Sequence, residues 1–213
     1  MSILSFPQRT YLMAYDLDGS KLYDRTRAAF LVHAAALTEL ILRGLVRDDG
    51  GHPQVVTGPP SGDLVLDELL SEMAVHRRSW KSWLRHHCKQ SRACTEAALD
   101  ETGAITITGR RLGGRCIVTV SDTTAVKVLQ AEVTAVLSGD LPTVEVSPAD
   151  AALAVLAVTG GVRPVLPPRA SRRGNGHVRE LAARLDTAAH PLGQLIPSLR
   201  MTMVAAQGGM GGS

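Results

Sequence analysis

The sequence predicts a mainly α protein, a helical bundle around a buried apolar central helix with a protruding β-hairpin. Hydrophobic residues make up 45% of the chain and aromatic residues only 3%, so the core must consist largely of aliphatic side chains. Residues 25–42 form a long and nearly uninterrupted apolar segment with helical spacing. Two short segments of alternating polarity flank a loop rich in glycine and arginine at 109–115, which is typical of a hairpin.

The N-terminal part of the chain is predicted to contain two longer helices separated by turns. Residues 10–15 are apolar and end in a turn sequence, DLDGS, so a helical turn or a strand is expected there. Residues 25–42 should be buried on nearly every side, and Gly44 is placed to end this helix. A turn at 48–51 and a short strand at 52–56 follow. Prolines and a glycine at 59–62 then break the chain before a helix over 63–73, whose first residue, Asp63, suits the positive end of a helix dipole.

The second half is predicted to alternate helices with one hairpin. A long helix over 79–99 carries Trp80 and Trp83 on its core side, and Gly103 follows it. Strands are expected over 105–108 and 116–120. Further helices are expected over 123–137, 149–158, 177–185 and 191–203. No internal repeat or linker is present, so residues 1–206 are predicted to form a single domain, followed by a flexible tail over 207–213.

Charge and cysteine content indicate the class of partner and compartment. The net charge is only +3, but basic residues concentrate at 77–92, 110–115 and 169–173, which suits contact with phosphate on lipid or nucleic acid. Three cysteines leave one unpaired, which favours a reducing cytosol. The start of the chain does not fit a secretory leader, and the most apolar run, at 149–158, is too short to span a bilayer. We therefore expect a cytoplasmic protein whose membrane contact is peripheral.

The basic residues at 85–92 have the spacing of an anion-binding surface. Lys89 and Arg92, at positions i and i+3, share one helical face and can converge on a single phosphate, and Arg85 extends that face. The predicted hairpin tip adds a basic loop with one apolar residue, which suits an anionic lipid surface. Its expected membrane-contact residues are Arg110, Arg111, Leu112 and Arg115.

Two other functions remain alternatives. A helix, Gly103 and a hairpin occur in the order found in winged-helix nucleic-acid binders. Asp16 and Asp18 follow an apolar run like the nucleophile loop of haloacid-dehalogenase-type phosphatases, with Asp16 as nucleophile. Gly62, Asp63 and Asp67 mimic the acidic metal loop of the same enzymes. Such enzymes need parallel strands alternating with helices, and the sequence between these two acidic loops supplies one helix and one weak strand.

No metal, cofactor or catalytic centre is predicted. His86, His87, Cys88 and Cys94 would not converge on zinc from one helix, because adjacent residues point about 100° apart. The sequence favours a non-enzymatic binding protein.

Two segments in this order resemble the Golgi phosphoprotein 3 family. The first is LTELILRG at 37–44, which is similar to the end of the family's central helix. The second is PSGDLVLDELL at 60–70, which matches its Gly-Asp-x-x-Leu-Asp-Glu-x-Leu signature. LDETGAI at 99–105 is similar to the family's junction between helix and hairpin, and residues 148–165 and 178–185 resemble its last helices more loosely.

The resemblance implies a fold and a ligand. It implies a helical bundle around a buried apolar helix, with a hairpin used for homo-oligomerisation and membrane contact. Family members hold phosphatidylinositol 4-phosphate with a tryptophan and three arginines. Lys89 and Arg92 match two of those basic positions, His33 falls on the third and would be charged part of the time, and Asp24 falls near the tryptophan position. The implied partners are an anionic phospholipid or phosphoinositide and a protein cargo, without nucleic acid.

Overall fold

Helices form most of the chain in this computed structural model, which describes residues 4–109, 117–166, 172–188 and 195–203. The helices are α1 (Phe6–Met13), α2 (Arg25–Leu42), α3 (Leu64–Val75), α4 (Trp80–Trp83), α5 (Cys88–Glu101), α6 (Thr123–Ser138), α7 (Pro148–Gly160), α8 (Arg172–Ala188) and α9 (195–203), with a 3₁₀ turn at Thr143–Glu145. The strands are β1 (Tyr15–Asp16), β2 (Lys21–Leu22), β3 (Val46–Asp49), β4 (His52–Val55), β5 (Ile105–Thr108) and β6 (Ile117–Val120). The predicted mainly α class is confirmed, while the tail predicted at 207–213 lies outside the described residues.

Helix α2 is the centre of the bundle and packs against α1, α3, α5 and α7. Its middle part is shielded from solvent, as the all-round apolar pattern predicts; the residues with no exposed surface are Ala28, Leu31, Val32, His33, Ala34, Ala35, Ala36, Leu37 and Leu40. Gly160 lets α7 approach α2 closely, because a Cβ built there would lie 2.6 Å from a methyl carbon of Leu31. The predicted buried central helix is confirmed.

The strands form three separate antiparallel pairs, β1–β2, β3–β4 and β5–β6. Residues 50 and 51, both glycines with positive φ angles of 58° and 84°, turn the chain between β3 and β4. The predicted strand at 52–56 is therefore one half of a hairpin, and the predicted turn at 48–51 begins two residues later. Ile105 pairs with Val120 and Thr108 with Ile117, which confirms the strands of the one hairpin that the sequence predicts.

Arg43 joins the two segments that carry the family resemblance. Its Nη2 donates to Glu39 Oε1 at 2.5 Å, and its Nη1 donates to the carbonyl of Ser61 at 3.1 Å. The other oxygen of Glu39, a buried residue, accepts the backbone N–H of Phe6 at 2.9 Å, at the start of α1. Glu39 and Arg43 therefore have a structural role that connects α2 to α1 and to the loop before α3.

The carboxylates of the second segment also have structural partners. Asp63 Oδ1 accepts the backbone N–H groups of Val65 and Leu66, at 2.8 and 3.1 Å, and so caps α3. Asp67 Oδ1 accepts the N–H of Ser61 at 2.6 Å, which closes the loop onto the first turn of the helix. These contacts give both aspartates of the segment a structural role.

We expect the substitution Asp63→Ala to lower the free energy of unfolding by about 1 kcal/mol, because two N–H groups at the start of α3 lose their acceptor. Urea denaturation followed by far-UV circular dichroism would measure the change. Asp140→Ala is the matched control, because this aspartate is exposed between α6 and the 3₁₀ turn. Equal stability of the Asp63 variant and the wild type would contradict the capping role.

Candidate anion-binding site

The chain breaks between α4 and α5, at residues 84–87, where the sequence predicts one continuous helix over 79–99. His87 has a left-handed conformation with φ of 62°, and Cys88 Sγ donates to the carbonyl of Leu84 at 3.0 Å. The break contains no glycine or proline, so nothing in the local sequence predicts it. It lets Trp80 and Trp83 remain in the core, as predicted, while α5 starts in a new direction.

The break leaves the N-terminus of α5 without a side-chain cap. His87, the N-cap residue, makes no capping hydrogen bond. The first N–H groups of a helix have no partner within the helix, and the helix dipole makes this end positive. A phosphate or carboxylate is the ligand that such an end favours.

A cavity of about 540 Å³ lies at this end of α5, between α5, the break and the first turns of α2. Four cationic side chains line it, Arg25 from α2, Arg85 from the break, and Lys89 and Arg92 from α5. The remaining lining residues are Thr26, Ala29, Phe30, His87, Cys88 and Gln90. The structure therefore brings Lys89 and Arg92 together with Arg85, as the sequence predicts, and adds Arg25.

The four cations differ in how they are held. Arg85 and Lys89 are exposed and form no salt bridge with any residue that the structure describes. Arg92 is mostly buried and donates to Glu96 one turn further along α5. Arg25 is half exposed and lies 3.7 Å from the same carboxylate oxygen. Two cations are thus available to a ligand directly, and two are fixed by an internal acid.

Glu96 is a further residue of the site that the sequence analysis missed. It is buried, and its Oε1 also accepts the hydroxyl of Tyr11 at 3.0 Å, a group whose pKa is raised by burial and then by Glu96 itself. The spacing of Arg92 and Glu96, four residues apart on a helix, is a signal that would have indicated the pair. The approach of Arg25 and Tyr11 from other helices carries no such signal.

His33 is not part of the cavity, and the prediction that it supplies a partial charge is wrong. Its ring has no exposed surface, and both nitrogens have partners: Nδ1 with Ser91 Oγ and Nε2 with the carbonyl of Trp83, each at 2.8 Å. Because the carbonyl can only accept, Nε2 carries the proton and Nδ1 accepts from the serine. Burial lowers the pKa of His33 from 6.5 to about 4, so the ring is neutral near neutral pH.

Asp24, which the resemblance places near the tryptophan position of the family, caps helix α2. Its Oδ1 accepts the N–H groups of Thr26 and Arg27, both at 2.9 Å, and its Oδ2 lies 3.6 Å from Nε of Arg27. Its charge is therefore directed to the start of α2.

The other predicted residues lie elsewhere. The four membrane-contact residues Arg110, Arg111, Leu112 and Arg115 fall outside the described residues. Asp16 is in the small antiparallel hairpin β1–β2 and accepts the N–H of Gly19 at 3.2 Å. The phosphatase alternative needs this aspartate at the end of a parallel strand, and β1 pairs only with an antiparallel one among the strands described.

Comparison with known proteins supports the resemblance noted from the sequence. No curated protein matches the chain. None of the described helices has the length and hydrophobicity needed to cross a membrane. The model of the Golgi phosphoprotein 3 (GPP34) family matches residues 6–199, nearly the whole chain, and the protein belongs to this family.

Proposed function

We propose that this protein is a peripheral membrane protein that binds the anionic headgroup of a phospholipid, of the phosphatidylinositol 4-phosphate type, in the cavity at the N-terminus of α5. The observation that carries the proposal is the convergence of Arg25, Arg85, Lys89 and Arg92 on one concave site at an uncapped helix end. Family membership is consistent with this function.

The electrostatics of the cavity support binding of phosphate. The lining residues include four cationic side chains and no carboxylate, while Glu96, Glu72 and Glu68 each contact a lining residue. Each lysine or arginine near an anionic membrane surface contributes about 1 kcal/mol to binding. Phe30 and Ala29 give the cavity an apolar wall that suits the non-polar part of a headgroup.

The residues around the cavity favour binding over catalysis. The nucleophile among them, Cys88, is buried, and burial raises the pKa of its thiol to about 12. It therefore stays protonated at neutral pH and is a poor nucleophile. The protein is accordingly proposed to act as an adaptor without enzymatic activity, and a protein cargo and self-association through β5–β6 remain part of this proposal.

We expect Lys89→Glu to weaken binding to vesicles by about tenfold to thirtyfold, because the change removes one attraction and adds one repulsion of about 1 kcal/mol each. Co-sedimentation with phosphatidylcholine vesicles that contain phosphatidylinositol 4-phosphate would measure the partition coefficient. Arg85→Glu should have a similar effect, because Arg85 is also exposed and without a salt bridge among the described residues.

Lys127→Glu is the matched control, because it changes the net charge equally at an exposed position of α6. Its binding should fall far less than that of Lys89→Glu. Equal pelleting of the wild type and the Lys89 variant would refute the site. Retention of a DNA duplex at low salt by the wild type, lost in the variant, would instead favour the winged-helix alternative.

A further inference from the structure

Glu96 places a negative charge next to two of the arginines that line the cavity, Arg25 and Arg92. Its Oε1 is shared by three groups from three helices: Nη1 of Arg92, Nη2 of Arg25 at 3.7 Å and the hydroxyl of Tyr11 at 3.0 Å. Both arginines line the cavity, whereas the carboxylate is buried behind them. The site therefore already contains a carboxylate that accepts a hydrogen bond from Arg92 and lies close to Arg25, two of the cations that a ligand would use.

We infer that Glu96 attenuates anion binding in this cavity and reduces its selection for doubly charged phosphomonoester headgroups over singly charged phosphodiester headgroups. The inference rests on the proposed function and concerns the class of lipid that the site accepts. It assigns Glu96 as a positioning residue that acts through Arg25 and Arg92 and makes no contact with the headgroup itself.

Coulomb repulsion gives the direction of the effect. For a phosphate on the order of 9 Å from the Glu96 carboxylate, and an effective dielectric constant of about 40, the repulsion lowers affinity about fivefold for each ligand charge. A phosphomonoester with two charges is penalised by the square of that factor, about twenty-five-fold. A phosphodiester with one charge is penalised about fivefold, so the carboxylate brings the two affinities closer together.

The carboxylate also orders the two guanidinium groups, which favours binding. This gain is limited, because Glu96 accepts from only one of the five N–H donors of Arg92. The other N–H donors of Arg92 remain for a ligand, whereas the negative charge acts on the ligand at every orientation. The net effect of Glu96 is therefore a weaker and less selective site.

The test compares Glu96→Gln with the wild type on two kinds of phosphatidylcholine vesicle, one with phosphatidylinositol 4-phosphate and one with phosphatidylglycerol. Glutamine keeps the size of the side chain and can still accept from Tyr11 and Arg92. We expect affinity to rise about twenty-five-fold for the phosphomonoester lipid and about fivefold for the phosphodiester lipid. Calorimetric titration with inorganic phosphate should show a gain in the same direction, because that gain comes from the cavity and not from the membrane.

Glu96→Asp is the conservative control, because it keeps the charge and should leave the ratio of the two affinities near the wild-type value. If the glutamine variant does not fold, Glu96→Ala makes the same change of charge and the same outcome applies to it. Unchanged or reduced affinities in the neutral variant, with Lys89→Glu still impairing binding, would overturn the inference and leave the proposed function standing. No effect of either Lys89→Glu or Glu96→Gln would refute the proposed function.

Discussion

Protonation of the buried His33 is expected to remove about 3 kcal/mol of folding stability as the pH falls from about 6.5 to about 4. Burial lowers the pKa of this ring from 6.5 to about 4, so the unfolded chain takes up the proton first. The contribution to stability is complete above pH 6.5, is lost as the pH falls towards 4, and does not change further below that value. A difference of about 2.5 pKa units at 1.36 kcal/mol each gives the expected size.

The measurement is the gap in unfolding free energy between the wild type and His33→Gln, from urea denaturation at about pH 7.5 and about pH 4.5. Glutamine can hydrogen-bond without titrating, so the gap should narrow by about 2 to 3 kcal/mol on acidification. Val128→Ala, at an exposed position of α6, is the control. Its free energy of unfolding should change between the two pH values by the same amount as that of the wild type. A gap that stays constant would mean that the ring titrates equally in the folded and unfolded chains.

Truncation of Leu37 in helix α2 is expected to lower the free energy of unfolding by about 3 kcal/mol. Leu37 has no exposed surface and is among the largest fully buried side chains. Removing three carbons there loses transfer free energy and leaves a cavity, because helices on several sides of α2 prevent the site from collapsing. Urea denaturation of Leu37→Ala should show a lower midpoint with an unchanged slope.

Val128→Ala is again the comparison, because the same kind of truncation at an exposed position should change stability by less than about 0.5 kcal/mol. Similar losses in both variants would contradict the central role of α2.

The fold was predictable where a pattern extends over many residues. The all-round apolar character of 25–42 is visible in the sequence, and the structure buries that helix among four others. The break at 84–87 was not predictable, because its sequence, LRHH, is compatible with a helix, and tertiary packing of Trp83 and Cys88 overrides that local preference. The pairing of β3 with β4 was also missed, because Asp48 and Asp49 are typical of a turn.

The candidate site was predictable only where it lies on a single helix. The spacing of Lys89 and Arg92 places them on one face of α5 from sequence alone. Arg25 comes from another helix, and nothing local relates it to them. The prediction for His33 was wrong, because a match to a family position indicates which helix faces the site but not how deeply the side chain is buried.

The bridge formed by Arg43 has a consequence for the dynamics of the protein. The first turn of α1 and the loop before α3 are distant in sequence, yet both depend on the Glu39–Arg43 pair through Phe6 and Ser61. If either segment unfolds locally, the hydrogen bonds of the Glu39–Arg43 pair that stabilise the other segment are weakened. Their amide protons should therefore exchange in a single cooperative step, which couples the two ends of this network in local unfolding.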